Sequence, residues 1–318
     1  MNKDELHRHL ENYISIRETL GYQTHSTKAL LKDFVDFIVL HLSSGPIRAQ
    51  LVIDWIGSGS TQRGPSRQAC RLSQVRGFLS FLRAVAPETE VPDHSMLATV
   101  RRQKPYLFTR AEINLLLNGA LTMGQGNSLR PLLWHTLIGL LASTGLRIGE
   151  ALRLRESDVR LDAVPPHLLI AETKFHKTRL VPMHPTTVEK LRLYADRRRQ
   201  LGYDTRSDYF FISETGKPMH RRCVWCSFRR LMNRVGINPP RDGRRPSLHC
   251  LRHAFAVERL LEWYRAGIVD LRAVAPHLAV YLGHVNIQQS YWYLTATPEL
   301  LGTAADRFQQ YADGGETQ

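Results

Sequence analysis

No stretch of this 318-residue chain holds the roughly 18 uninterrupted apolar residues that a membrane-spanning helix needs. The longest candidate, Leu132 to Leu146, is interrupted by His135, Ser143 and Thr144, so no membrane partner is expected. The opening Met1-Asn2-Lys3-Asp4-Glu5 lacks the apolar core of a secretory signal, and a cytoplasmic protein is the expectation. Cysteine is scarce: Cys70, Cys223, Cys226 and Cys250. Cys223-Val-Trp-Cys226 has the spacing of half a zinc site, but no second CxxC follows to complete a tetrahedron. Both thiols are expected to pack on a helix in a reducing compartment, with no metal bound. Neither internal repeats nor low-complexity tracts occur. Acidic residues are also short, 29 against 43 basic ones, for a formal charge of +14 and a pI near 10.0. Such an excess favours a polyanion, because each neutralised phosphate releases counterions. An anionic membrane surface would call for a basic amphipathic helix with a wide apolar face or a lipidation signal. Nucleic acid is therefore the expected partner class.

The length suits two domains. The first part reads as helices alone. Leu6, Leu10, Tyr13 and Ile14 recur at helical spacing before a stop at Gly21, and Leu30, Leu31, Phe34, Phe37 and Ile38 repeat the period after Ser26 as N-cap. Leu51 to Trp55 and Leu72 to Val85 supply two more apolar faces, the second preceded by the basic stretch Arg63, Arg67 and Arg71, which continues through Arg76. Basic runs are often just solvated faces, but at this net charge the four are candidates for phosphate contact. Prolines at 87 and 92 and the charged run Arg101-Arg102-Gln103-Lys104-Pro105 break the pattern. We divide the chain into a helical domain at 1–90, a linker at 91–105 and a second domain at 106–318.

The second domain opens with Thr109-Arg110-Ala111-Glu112, the pattern of a capping box. Helical periodicity over 132–154 gives way to short strands at Asp158 to Leu161, Leu168 to Ile170 and Thr178 to Pro182, the last two forming a hairpin. Tyr209 to Ile212 is a further apolar run, and helices are expected near 219–235, 248–265, 271–282 and 298–312. The fold class is α-rich, with an all-helical first domain and a mixed α+β second domain built on a small antiparallel sheet.

Chemistry is carried by scattered pieces. Gly145-Leu146-Arg147-Ile148-Gly149-Glu150 puts an arginine just after a glycine break. His249 and Arg252 stand at i and i+3, so both can project from one helix face. Leu282-Gly283-His284 ends a helix at glycine, and Tyr293 lies nine residues beyond His284. Each piece alone is unremarkable as sequence. Together and in this order, with a lysine in the hairpin turn ahead of Arg179-Leu180-Val181-Pro182, they resemble the tyrosine recombinase, or phage integrase, family.

The resemblance implies a DNA-cutting site. Arg147 and Arg252 would clamp the scissile phosphate, Lys174 (with Lys177 as the alternative) would protonate the leaving 5′ oxygen, and His249 and His284 would fill the two histidine positions. Tyr293 would be the nucleophile, Glu150 a supporting residue, and His253 a packed one. A phenol with an ordinary pKa of about 10 is a poor nucleophile at neutral pH unless cations stabilise the phenolate, and permanently charged arginines supply them. The implied reaction is cleavage and rejoining through a 3′-phosphotyrosine, with no cofactor, metal or ATP. The implied partners are double-stranded DNA at a specific site and further copies of the chain, as a tetramer on two sites. Strand relaxation of the type IB topoisomerase kind, or DNA binding without catalysis, are the other readings.

Overall fold

The computed structural model describes residues 2–42, 45–58, 64–97, 105–171, 178–203, 207–238, 245–267, 271–283 and 302. They fall into two compact units, Met1–Arg102 and Gln103–Gln318.

Four helices make up the described part of the first unit: α1 Lys3–Thr19, α2 His25–His41, α3 Ala49–Gly57 and α4 Pro65–Leu82. Asn2 and Glu5 close a capping box at the start of α1, and Gly21 follows its end with φ +80°, the left-handed conformation that glycine adopts without cost. The second helix starts one residue after Thr24, earlier than the Ser26 cap expected from the sequence. Thr24 is buried and donates to Glu18 Oε1 at 2.5 Å, so a tertiary contact sets that boundary. The core joins Leu10, Ile14, Phe34, Trp55, Val75 and Phe78. Gly77 lets α1 and α4 approach, since a Cβ there would lie 2.8 Å from Tyr13 Oη.

Two expectations for this unit need correction. Arg71 does not stand in a solvent-facing basic row: it is only 4% exposed, and its guanidinium is taken up by groups of the first unit. Its guanidinium carbon lies 3.5 Å from the centre of the Trp55 ring, with Nη2 3.4 Å from both Asp33 Oδ2 and the Trp55 carbonyl. Arg67 is exposed and Arg76 half-buried, nine residues apart and so on opposite sides of α4, while Arg63 lies outside the described residues. The linker also starts later than expected. Val91 and Leu97 pack on the first core, and Asp93 caps a short 3-10 turn at His94–Met96.

In the second unit α5 Arg110–Leu121 begins with the expected Thr109/Glu112 capping box. The following helix, α6 Arg130–Thr144, packs against α5, against α8 Pro185–Gln200 and against α10 Leu248–Arg265. Being covered from several sides, it is apolar nearly all round, with Leu133, Trp134, Leu137, Ile138, Leu140 and Leu141 buried. It stops at Thr144 rather than running to 154. A one-turn helix, α7 Ile148–Ala151, follows. The strands β1 Val159–Arg160, β2 His167–Ile170 and β3 Arg179–Pro182 form an antiparallel sheet in that order. Leu168 opposes Val181 in it, and both are buried. The hairpin turn at 172–177 lies outside the described residues. Further helices are α9 Arg221–Arg234 and α11 Leu271–Leu282. Among the described residues, 209–212 pair through isolated bridges, Arg155 with Tyr209 and Ile212 with Pro218, and the helix expected at 298–312 lies outside the description except for Gly302.

The sequence reading missed α8. Its signal was there: His184 caps it, Pro185 occupies the first turn, and Thr187, Val188, Leu191 and Tyr194 are buried at helical spacing. The polar run through Arg197, Arg198 and Arg199 obscured the period. On α9, Cys223 is exposed and Cys226 only half-buried, which corrects the expectation of two packed thiols. Among the described residues no helix is long and apolar enough to cross a membrane.

The Arg71 stack makes a stability prediction. Desolvated cation–π pairs contribute about 2 kcal/mol, so Arg71→Ala should destabilise the first unit by about that amount in urea unfolding followed by tryptophan fluorescence. Arg67→Ala, a change at the surface, should leave the same transition unmoved.

Candidate DNA strand-exchange site

Gly145 sets the site up. It ends α6 in the left-handed conformation, φ +63°, and has no room for a side chain: a Cβ would meet Phe255 Cδ1 at 2.5 Å and Leu282 Cδ2 at 2.9 Å. Leu146 turns into the core, and Arg147 becomes the N-cap of α7. One turn on, buried Glu150 accepts from the Arg147 backbone N at 3.0 Å and from Arg147 Nη1 at 2.8 Å. The Gly-Leu-Arg-x-x-Glu spacing is thus a local loop in which the carboxylate orients the arginine it follows.

Arg252 enters from α10. It is 1% exposed, donating from Nη1 to the Gly145 carbonyl at 2.8 Å and from Nη2 to the Leu282 carbonyl at 2.6 Å. Arg147 Nη2 donates to the next carbonyl, Gly283, at 3.0 Å. A third arginine, which the sequence reading did not single out, completes the series: Arg179 Nε donates to the Tyr281 carbonyl at 2.9 Å. Three guanidiniums from three elements therefore cap successive carbonyls at the end of α11. The last carbonyls of a helix lack partners within it and form the negative end of its dipole, so cations gather there. His249, one turn before Arg252, is exposed, with its ring 4.6 Å from that of buried His253 and nearly perpendicular to it. Among the predicted site residues, Arg147, Glu150 and Arg252 are thus brought together. Lys174, Lys177, His284 and Tyr293 lie outside the described residues, although His284 directly follows Gly283 in the chain.

Glu150 is held as a carboxylate by its neighbours. Burial alone would raise its pKa, but ion pairs with Arg179 and Arg147 outweigh that and hold it at about 2. Arg179 grips it with both terminal nitrogens, Nη2 to Oε2 at 2.8 Å and Nη1 to Oε1 at 3.2 Å. Among the described residues no group of three or more His, Cys, Asp or Glu is placed to hold a metal ion.

A second basic surface also escaped the sequence reading. On α9, Arg221, Arg222, Arg229 and Arg230 are exposed, and Arg229 lies 5.5 Å from the ring centre of half-exposed Trp225. The signal was a 14-residue helix with no acidic residue.

The chain belongs to the phage integrase family, whose model matches residues 108–299. Over 306 residues it is 37% identical to the integrase/recombinase y4rB of Sinorhizobium fredii, covering 95% of this chain and 96% of that protein. It is 31% identical to the tyrosine recombinase XerD of Rhizobium meliloti over 74% of this chain and 72% of that one. Among solved structures its fold resembles the XerH site-specific recombinase in a post-cleavage complex with a palindromic difH substrate. The TM-score there is 0.67 at 18% identity, covering 89% of this chain and 79% of that one. A lambda integrase tetramer bound to a Holliday junction gives 0.60 at 18% identity, with 88% and 77% covered. Membership of this family makes the chain a site-specific DNA recombinase.

The ion-paired Glu150 predicts a pH signature. A carboxyl held at about 2, against an ordinary 4.5, adds stability that is present above the ordinary value and lost as pH falls toward 2. Wild type should exceed Glu150→Gln by on the order of 3 kcal/mol at neutral pH, and the gap in urea unfolding should close between pH 4.5 and 2.

Proposed function

We propose that the chain cuts and rejoins duplex DNA through a 3′-phosphotyrosyl bond at Tyr293, with Arg147 and Arg252 as the phosphate clamp. The observation that carries this reading is the meeting of these two arginines on the adjacent carbonyls of Leu282 and Gly283, from segments more than a hundred residues apart. A guanidinium carries five N–H donors in a fixed plane, so one arginine can hold a backbone carbonyl and an anionic oxygen together. Anchored in this way the clamp is oriented before DNA arrives, which lets it stabilise developing charge without reorganising.

In the cleavage step Tyr293 Oη attacks the phosphorus, the bond to the 5′ oxygen breaks, and the tyrosyl proton leaves to a base. Lys174 gives the departing oxygen its proton, Lys177 being the alternative donor, with His249 and His284 beside the phosphate. Attack by a 5′ hydroxyl from another strand reverses these events, returning the phenol and a rejoined phosphodiester. Energy is conserved in the phosphotyrosine, so neither ATP nor a cofactor is consumed. The helical first unit serves as a DNA-gripping domain and the second as the catalytic domain. Exposed Arg67 and half-buried Arg76 on α4, Arg63 just before that helix, and the arginines of α9 meet the backbone phosphates.

One tyrosine per chain supplies one strand cut, so exchange between two duplexes calls for four copies on two sites. Leu300, Leu301, Ala304, Ala305 and Phe308 repeat at helical spacing after the nucleophile, and a neighbouring copy offers them a groove of about 780 Å³ lined by Phe255, Trp263, Leu278 and Tyr281. Removing residues after 297 should leave binding to one site intact and abolish paired-site complexes, as read by mass on DNA.

The target sequence can be obtained by incubating the wild-type chain with random duplexes and sequencing the covalent adducts. On a nicked duplex carrying that sequence, Tyr293→Phe should form no adduct while binding as wild type does; adduct formation by this variant, with its loss in Tyr291→Phe instead, would reassign the nucleophile. Arg147→Ala and Arg252→Ala should each slow cleavage by about 10²–10³-fold, the usual cost of one preorganised donor.

A further inference from the structure

We infer that Arg179 is a positioning residue of the reaction, which fixes Arg147 through Glu150 and ties both to the end of α11. This rests on the reading of Arg147 as a phosphate clamp and extends it to a residue that never touches the phosphate.

The geometry leaves Arg179 little other purpose. All three of its guanidinium nitrogens are engaged: Nη1 and Nη2 on the two oxygens of Glu150, and Nε on the Tyr281 carbonyl. Its side chain is 11% exposed and that of Glu150 3%. Glu150 has a second arginine, since its Oε1 accepts from Arg147 Nη1 and its Oε2 from the Arg147 backbone. Removing Arg179 takes two donors from the Glu150 carboxylate and one from the Tyr281 carbonyl, so the carboxylate is no longer fixed in orientation. The Arg147 guanidinium bonded to it then loses its fixed position facing the phosphate.

Gly283 shows how closely the parts are fitted. It has φ +67°, and a Cβ built on it would stand 2.8 Å from Arg179 Nη1 and 3.0 Å from its Cζ. The Arg179 guanidinium thus lies against the bare backbone of the residue whose carbonyl anchors Arg147 and which precedes His284. Arg179 is also the first residue of β3 and pairs with Ile170 across the sheet. One side chain therefore links the β2–β3 pair, the clamp loop and the end of α11. A lysine in its place would keep the charge but could not make a planar, three-point grip.

The test is a double-mutant cycle in the full-length chain, on the nicked duplex selected by wild-type adducts. Single-turnover cleavage is measured well below each variant's unfolding midpoint, with DNA affinity recorded alongside. Arg179→Gln should slow cleavage by about 10²-fold, the scale of a reacting group displaced by about 1 Å, with affinity within about twofold of wild type. Arg179→Lys should recover part of that loss. In an Arg147→Ala background Arg179→Gln should cost at most about threefold more, because residues acting as one unit are not additive. If Arg179→Gln does not fold, the cycle is run with Arg179→Lys, for which the same non-additivity is expected. A full multiplicative loss in the double variant, or wild-type cleavage by folded single variants, would overturn the assignment. Should Arg147→Ala itself cleave at the wild-type rate, the clamp reading fails together with this one; additivity beside an impaired Arg147→Ala removes the role of Arg179 alone.

Discussion

A helix that ends inside a protein leaves carbonyls with nothing of its own to bond, and α11 ends among cations. Tyr281, Leu282 and Gly283 present their carbonyls in succession, and Arg179, Arg252 and Arg147 each take one. The positive charge that such a site needs for a phosphate would repel itself if gathered bare in the interior. Here the dipole of α11, the Gly145 carbonyl at the end of α6 and the Glu150 carboxylate hold it together. Buried ion pairs of this kind repay their desolvation only when the hydrogen bonding is complete, and Glu150 is gripped through both of its oxygens.

Packing delivers the three arginines to one place. The position of α6, covered by α5, α8 and α10, fixes where Gly145 turns the chain, and Phe255 and Leu282 close on that glycine so tightly that no side chain fits. The same contact sets the end of α11 against the start of the Arg147 loop. The small sheet adds Arg179 by register: Leu168 and Val181 point into the core as a pair, which commits the start of β3 to the site. In the first unit an arginine serves a different purpose, since Arg71 is enclosed against Trp55 and contributes to a core, although Arg67, one turn before it, is exposed.

The one-dimensional pattern was enough for much of this. Apolar residues at helical spacing determined α1 to α4, the capping box at Thr109 determined where α5 starts, and two short runs on either side of the polar Lys174-Phe175-His176-Lys177 marked the hairpin of β2 and β3. The order of Arg147, His249, Arg252, His284 and Tyr293 carried the resemblance to the tyrosine recombinase family, and the expected chemistry came with that resemblance. Charge excess determined the class of partner. These properties are legible because they depend on residue type and local spacing alone.

Tertiary structure decided what each arginine does. In sequence Arg71 is one of a basic row and Arg179 one residue of a strand, and neither spacing nor composition separates a guanidinium that meets solvent from one buried on a ring or a carboxylate. That difference arises from which surfaces close over it, and those come from residues dozens to a hundred positions away. The helix α8 was lost for a related reason: its polar, arginine-rich turn hid a period that becomes evident only once Leu191 and Tyr194 are seen in the core. Local pattern determined the elements and the reactive residue types, while long-range packing against the ends of α6 and α11 decided which charges became the site.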